Sequence, residues 1–271
     1  MNILGEIQDV VQFFKQHFDY KAADNCIVLG SGLGAFASHL KIIKEFSFTD
    51  IPHFPKPTVI GHNGKVVFGE YQNKKVLVFQ GRVHFYEGHS IQKVVLPVRA
   101  AKMWGCSKFL ITNSAGGLLD GMTPGEFMII DDHVNLSGQN PLIGPNINEL
   151  GPRFPDMTNA YNKELTQHLE LAIKKEADKY HKGIYVGLTG PTYETPSEVL
   201  YFKRQGFGAV GMSTVYETIA LRHMGAQVAG LSCITNLGAG LSKHELSHDE
   251  VTDTTKKVEK QFIAILKNYL S

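Results

Sequence analysis

Cysteine is scarce in this chain, which has only Cys26, Cys106 and Cys233 among its 271 residues. The three lie far apart and form no CxxC pair. The sequence therefore predicts neither a disulfide framework nor a thiolate metal or redox site. We expect three free, buried thiols in a reducing cytoplasm.

An excess of charge of one sign is also missing, because 27 Lys and Arg residues stand against 26 Asp and Glu residues, a net charge of +1. This balance argues against nucleic acid or a membrane surface as the partner. No apolar run approaches the length of a membrane span. Residues 1–6 lack a basic region followed by an apolar one, so we expect no signal peptide. We therefore expect a cytoplasmic protein.

Linker-like stretches are absent too, since no Pro/Gly/Ser-rich segment or charge run divides the chain. We expect a single domain over residues 1–271. Strand-like and helix-like segments alternate, but residues 65–71 and 75–80 read as an antiparallel hairpin. The pattern predicts an α/β fold with a mixed sheet.

The stretch that follows the hairpin, residues 81–89 (GRVHFYEGH), carries polar chemistry. If the chain stays extended, Arg82, His84 and Tyr86 share one face of it. A guanidinium and an imidazole on one face suit an oxyanion. A sheet edge whose polar face meets solvent is the alternative.

Other strand ends carry glycine and small residues. The predicted strand 26–29 runs into Gly30-Ser31-Gly32, a phosphate-cradle arrangement or simply a tight turn. The predicted strand 108–112 ends in a small-residue loop, 113–117, whose backbone N–H groups could face a ligand. His62 lies between two glycines, either on a lid over an anion or on an exposed loop without a role.

Three sequences typical of helix starts follow later in the chain. Thr195 and Glu198 form a capping box with Pro196 at the first helical position, and Glu194 precedes it. There Glu194 either favours the helix dipole or accepts N–H donors from a flat heterocycle. Ser213 lies beside a second box at 214–217, where an anion would be stabilised, and His248 lies inside a third at 247–250.

Two further segments carry polar residues. Asp131, Asp132 and His133 end a strand, but adjacent strand residues point to opposite faces, so no metal is expected. Residues 137–154 are rich in Gly, Pro and Asn and too long for a simple connector. They indicate a functional loop or a packing loop at an interface.

Taken together, these segments resemble the trimeric, low-molecular-mass purine nucleoside phosphorylases. The matching stretches occur in the family's order and span most of the chain: residues 30–34 (GSGLG), 81–88 (GRVHFYEG), 112–118 (TNSAGGL), 137–142 (SGQNPL), 190–195 (GPTYET), 210–215 (VGMSTV) and 234–236 (ITN). The resemblance implies one domain on a mixed, barrel-like sheet. It also implies the phosphorolysis of 6-oxopurine nucleosides, a homotrimer, and phosphate as co-substrate with no cofactor.

The resemblance also implies a role for each matching position. The residues expected at the phosphate are Ser31, His62, Arg82, His84, Ser114 through its backbone, and Ser213. Those expected at the ribose are Tyr86, Met212 and His248. Those expected at the base are Ala115, Tyr193, Glu194, Val210 and Asn236. His84, Glu194 and Asn236 are expected to act in catalysis, and Phe154 to reach into a neighbouring subunit's site.

Three positions depart from relatives: Ser114 and Tyr216 stand where many have alanine and proline, and Leu237 stands where some have lysine. A methylthioadenosine phosphorylase is the close rival, but Asn236 argues against it because that activity goes with aspartate there. A non-catalytic nucleoside-binding protein and a nucleoside hydrolase are two more distant rivals.

Overall fold

The computed structural model describes residues 2–18, 21–58, 64–242 and 247–271, without the side chain of His248. Within these ranges the α-helices are α1 (Ile3–His17), α2 (Ile91–Trp104), α3 (Lys163–Lys174), α4 (Pro196–Arg204), α5 (Val215–His223) and α6 (His248–Leu270). The strands are β1 (Asn25–Leu29), β2 (Lys41–Ser47), β3 (Lys65–Tyr71), β4 (Lys74–Gln80), β5 (Lys108–Gly117), β6 (Phe127–Asn135), β7 (His181–Gly187), β8 (Ala209–Gly211) and β9 (Gln227–Leu237). Short 3-10 helices span Gly34–His39, Phe48–Asp50 and Phe85–Glu87.

The strands form one mixed sheet in the order β2-β3-β4-β1-β5-β8-β7-β6-β9. An additional pairing between β5 and β9 closes the last five strands into a ring. The β3–β4 and β6–β9 pairs are antiparallel, whereas β1 pairs in parallel with both β4 and β5. The predicted mixed, barrel-like sheet is therefore confirmed.

Strand β5 is the element that joins the open part of the sheet to the ring. Its first half pairs with β1, its last two residues pair with β8, and its whole length pairs with β9. The predicted loop at 113–117 is wrong, because these residues continue the strand to Gly117. Small side chains let two strands, β8 and β9, pair with this segment, and the sequence alone gave no sign of these neighbours.

Other boundaries also differ from those predicted. Strand β2 was not predicted, because its first five residues are exposed and its sequence does not alternate. Helix α3 begins at Lys163 rather than at 159, since Asn162 caps it by accepting from the backbone N–H of Leu165 at 2.9 Å. Strands β6 and β9 run on to Asn135 and Leu237, so Asn236 lies within a strand.

Helix α1 packs its apolar stripe against α2 and the sheet. Phe14 is fully buried and meets Trp104 edge-to-face, with ring centroids 5.4 Å apart. Each fully buried side chain of this size contributes roughly 1.5–3 kcal/mol. Cys26, Cys106 and Cys233 are free and buried, as predicted. In the described part of the chain, no helix has the length and apolar character needed to cross a bilayer.

Candidate active site

A cavity of about 110 Å³ lies at the ends of β5, β8 and β9, beside the loop that follows β1. Eleven residues singled out in the sequence line it: Ser31, His84, Tyr86, Ser114, Ala115, Tyr193, Glu194, Val210, Met212, Ser213 and Asn236. Its other lining residues are Gly116, Gly211, Thr235 and Val251. Residues as far apart in the chain as Ser31 and Asn236 thus meet at one edge of the sheet, where open α/β sheets place their ligands.

Two described residues that were predicted for the site lie outside the cavity wall. Arg82 lies beside the cavity, behind Thr214. Phe154 lies on the loop after β6 with 87% of its surface exposed. His62 and the side chain of His248 fall outside the described residues, so their predicted roles stay predictions.

The expected common face of Arg82, His84 and Tyr86 is not observed. The extended strand ends at Gln80, and a 3-10 helix begins at Phe85. Arg82 is 7% exposed and turns inward, where it donates to Glu217 Oε2 at 2.8 Å and to the carbonyl of Thr112. The charge-assisted hydrogen bond to a buried carboxylate is stronger than the contacts that the guanidinium would make on an exposed strand face.

One end of the cavity is built from small residues and backbone. Ser114 Oγ donates to the carbonyl of Ser31 at 2.8 Å, which ties β5 to the glycine-rich turn. Gly30 permits that approach, because a Cβ there would lie 2.7 Å from Asn113 Cα. Three serines, Ser31, Ser114 and Ser213, therefore line one end of the cavity beside a glycine-rich turn and a helix start, a setting suited to an anion.

Ser213 owes its position to an unusual turn between β8 and α5. Thr214 has φ of 70°, a value that β-branched residues rarely adopt. The residue is fully buried, and Asn113 Nδ2 donates to its Oγ1 at 2.8 Å while its own N–H donates to Glu217 Oε2 at 3.0 Å. Strained backbone conformations that surrounding contacts maintain are common at functional sites. Here the strained turn at Thr214 places Ser213 at the start of α5.

His84 is held by a buried carboxylate that the sequence analysis did not single out. Glu87 Oε1 accepts from the backbone N–H of His84 at 2.7 Å and lies 3.3 Å from its Nδ1. Glu87 Oε2 accepts from the N–H and hydroxyl of Thr58 at 2.7 and 2.8 Å. Burial raises the pKa of the Glu87 carboxyl, but these hydrogen bonds outweigh that effect and lower the pKa to about 2. The imidazole also stacks on Tyr86, with centroids 4.9 Å apart.

The opposite end of the cavity carries a carboxylate and an amide. Glu194 is 9% exposed, and burial raises the pKa of its carboxyl above the usual value. Asn236 is 6% exposed, and its Oδ1 accepts from the hydroxyl of Thr235 at 3.0 Å. Asn236 Nδ2 donates to the carbonyl of Leu237 at 3.1 Å, and because a carbonyl only accepts, this bond identifies the NH₂ end of the amide and leaves its second N–H for a ligand. Tyr193 completes this end with an aromatic ring that is 40% exposed.

Sequence reasoning missed Glu87, Thr235 and Glu217 as residues that hold the site. Glu87 stands three positions after His84, and Glu217 three after Thr214, so each spacing was visible. A glutamate three positions after a capping residue indicates a helix start, so the spacing did not suggest a role in the site. Only the fold reveals that Glu217 also receives Arg82, 135 positions away.

Comparison with known proteins adds to this geometry. The family model described as the phosphorylase superfamily matches residues 25–271. Purine nucleoside phosphorylase 1 of Geobacillus stearothermophilus is 45% identical over 261 residues, covering 96% of this chain and 95% of the relative. Structures of the Schistosoma mansoni purine nucleoside phosphorylase in complex with inosine and with adenosine each superpose with a TM-score of 0.90 at 33% identity, covering 98% of this chain and 96% of that one. A Schistosoma purine nucleoside phosphorylase in complex with guanosine gives 0.88 at 32% identity, with the same coverage.

The closed barrel and the cavity at its edge therefore define a phosphorylase. Within that superfamily, the chain belongs to the purine nucleoside phosphorylases, which are pentosyltransferases.

Proposed function

We propose that this chain catalyses the reversible phosphorolysis of 6-oxopurine nucleosides, with inosine, guanosine, xanthosine and their deoxy forms as candidate substrates. The products are the free base and ribose 1-phosphate or deoxyribose 1-phosphate. One observation carries the proposal: anion donors and a carboxylate–amide pair lie in one cavity, with the stacked His84 and Tyr86 also in its wall. Phosphate is a co-substrate, so no cofactor is invoked.

At the anion end, Ser31, Ser213, His84 and the backbone of Ser114 hold phosphate below the sugar. Breaking the C–N bond builds positive charge on the sugar, as in glycoside hydrolysis. Phosphate is both the nucleophile and the charge that stabilises this cation. The protein's contribution is positioning. His84 suits the task, because Glu87 takes its Nδ1–H and fixes the ring.

Arg82 contributes in a second way. Its guanidinium is turned toward Glu217, so it reaches phosphate only after a change of side-chain conformation. Where it lies, one residue behind Ser213, its charge is largely balanced by Glu217, so it favours an anion only when the guanidinium turns toward the cavity. Tyr86 and Met212 lie in the wall where the ribose would sit, and His248 and His62 remain expected contacts at the ribose and the phosphate.

At the base end, Asn236 donates to N7 as the departing purine gains negative charge. A hydrogen bond that strengthens only as charge develops raises the rate rather than mere binding. Glu194 accepts from N1–H of a 6-oxopurine, with Ala115, Val210 and Tyr193 against the ring. Adenine has no N1–H, and a buried carboxylate without its donor costs roughly 1–3 kcal/mol. Because the Schistosoma relative has been solved with adenosine, turnover rather than occupancy is the informative measurement.

The proposal includes the assembly. Phe154 is 87% exposed, and Arg153 pins the loop before it by donating to the carbonyls of Leu142 and Gly144 at 3.0 and 2.8 Å. An aromatic ring held out from an ordered loop suits insertion into a neighbouring subunit. We propose a cytoplasmic homotrimer of single-domain chains in which Phe154 completes the next subunit's site.

The test is incubation of the purified protein with inosine, with and without inorganic phosphate. We expect hypoxanthine release only when phosphate is present, with ribose 1-phosphate as the second product. Release without phosphate would instead identify a hydrolase, and nucleoside binding without release would identify a binding protein. Preferred turnover of methylthioadenosine over inosine would identify a methylthioadenosine phosphorylase.

A further inference from the structure

A second cavity, of about 90 Å³, lies between α2, the end of α5 and residues 141–150. Among the described residues, none lines both this cavity and the candidate active site. Arg99 of α2 and His223, the last residue of α5, both contribute to its wall. The proposed reaction uses neither residue, so their presence in one cavity needs another explanation.

Arg99 is a buried cation that is paired only with neutral oxygens in the described part of the chain. The residue is 2% exposed, and it donates to Gln92 Oε1 at 2.5 Å and to the carbonyl of Pro141 at 3.3 Å. Its Nε has no hydrogen-bond partner among the described residues. Burial lowers the pKa of Arg99 to about 10, which leaves the guanidinium charged near neutral pH.

His223 brings a second donor to the same space. The residue is 5% exposed, and within the described ranges neither ring nitrogen makes a hydrogen bond of normal geometry. Burial and the charge of Arg99 lower its pKa, while the nearby carbonyls of Pro152 and Gly151 oppose the change. An imidazole of this kind can accept a proton when an anion arrives.

No carboxylate balances these groups from the cavity wall. The other side chains that line it in the described part of the chain are uncharged. Glu6, three positions after the lining residue Ile3 on α1, is paired with Lys93 at 3.0 Å. A buried charge without a counter-charge is costly, so binding an anion from solution would remove an existing penalty.

We propose that this cavity binds a small oxyanion on Arg99 and His223. Its volume admits a group the size of inorganic phosphate or a carboxylate, whereas a single water needs on the order of 10–15 Å³. The bound anion would link α2, α5 and the loop that carries Phe154. It would therefore stabilise that loop without entering the reaction.

The test is to count phosphate sites by equilibrium dialysis with labelled inorganic phosphate at constant ionic strength. We expect two sites per chain for the unmodified protein and one for Arg99→Gln and for His223→Gln. The milder His223→Gln keeps Arg99 and its partners, so it reports binding even if Arg99→Gln fails to fold. Lys102→Gln removes the same charge from α2 outside the cavity and should keep two sites.

The two sites are distinguishable, because Ser213→Ala should weaken only the phosphate of the candidate active site. Weakening of the second site in His223→Gln should be about tenfold or more, as for the loss of one charge-assisted hydrogen bond. Displacement by acetate would show that carboxylates are accepted, and displacement by sulfate alone would show a tetrahedral preference. Equal displacement by chloride, or one site in the unmodified protein, would overturn the proposal whatever the enzyme's activity.

Discussion

Arg82 Nη1 lies 2.8 Å from Glu217 Oε2, and the two side chains are only 7% and 5% exposed. The same carboxylate accepts from the N–H of Thr214, the strained residue that follows Ser213. Glu217 thus holds both the guanidinium of Arg82 and the turn that positions Ser213 in the cavity wall. The pair links the stability of this region to its capacity to bind phosphate.

A double-mutant cycle on Arg82 and Glu217 separates the effect of the pair on stability from its effect on phosphate binding. Arg82→Met should lower the free energy of unfolding by about 3–5 kcal/mol, because it leaves Glu217 buried and unpaired. Arg82→Met combined with Glu217→Gln should recover much of that loss, since the lone charge is removed as well. Urea denaturation measures both effects.

Phosphate KM should behave differently in the same cycle. We expect it to stay raised by about tenfold or more in the double variant, because the guanidinium that would turn toward the anion and donate to it is still missing. Recovery of phosphate KM together with stability would mean that Arg82 acts on structure alone.

The extent to which the fold and the candidate site could be predicted from the sequence differs from residue to residue. Eleven of the fifteen lining residues were predicted, some because glycine-rich turns and strand ends are local signals and the others because of the resemblance to a known family. The orientation of Arg82 was mispredicted, because it is decided by Glu217 and Thr112, which only the folded sheet brings near. The extension of β5 through Gly117 was missed for the same reason: pairing with β8 and β9 imposes it on residues that locally favour a loop.

Asn236 and Thr235 give a second prediction, about rate. Asn236→Ala should lower kcat for inosine by about 10²–10³, the cost of removing one donor to a developing negative charge. Thr235→Val keeps the shape but removes the hydroxyl that orients the amide at 3.0 Å, and should lower kcat by about tenfold. Steady-state kinetics at saturating phosphate measure both.

The Thr235 effect also has a control. Thr123→Val alters a threonine of the turn before β6, outside the cavity wall, and should leave kcat unchanged. If Thr235→Val also turns over inosine at the normal rate, the orienting role of its hydroxyl is wrong.

Glu194 should display opposite effects on stability and on function. Burial raises the pKa of its carboxyl, so the folded state binds this proton more tightly than the unfolded state does. The ionised form therefore weakens the fold above that pKa, and the penalty disappears as pH falls. Glu194→Gln should raise Tm near neutral pH, because the neutral amide removes the cost of burying the ionised carboxyl, and each kcal/mol gained shifts Tm by roughly 2–4 °C in a chain of this size.

The same substitution should lower kcat/KM for inosine, because an amide accepts the purine N1–H less well than a carboxylate does. Differential scanning calorimetry and inosine kinetics on one preparation provide the comparison. A Glu194→Gln variant that is both less stable and fully active would contradict this assignment on both counts.

Glu87 gives the last prediction, a dependence of stability on pH. Its pKa is lowered from an ordinary 4.5 to about 2, so the carboxylate stabilises the folded state above the unfolded value. That contribution is lost as pH falls from about 4.5 toward about 2. Near neutral pH, Glu87→Gln should lower the free energy of unfolding by about 1–3 kcal/mol, because it weakens the hydrogen bonds from Thr58 and His84.

The difference between the unmodified protein and Glu87→Gln should therefore shrink when urea denaturation is repeated near about pH 3. Glu70→Gln is the matched control, since Glu70 meets the exposed Lys41 at 3.9 Å and should change stability by under about 0.5 kcal/mol at either pH. An equal loss at both pH values would show that Glu87 acts through its shape and not its charge. Phosphate KM should rise in the same variant, because the neutral amide accepts less well than the carboxylate that lies 3.3 Å from His84 Nδ1.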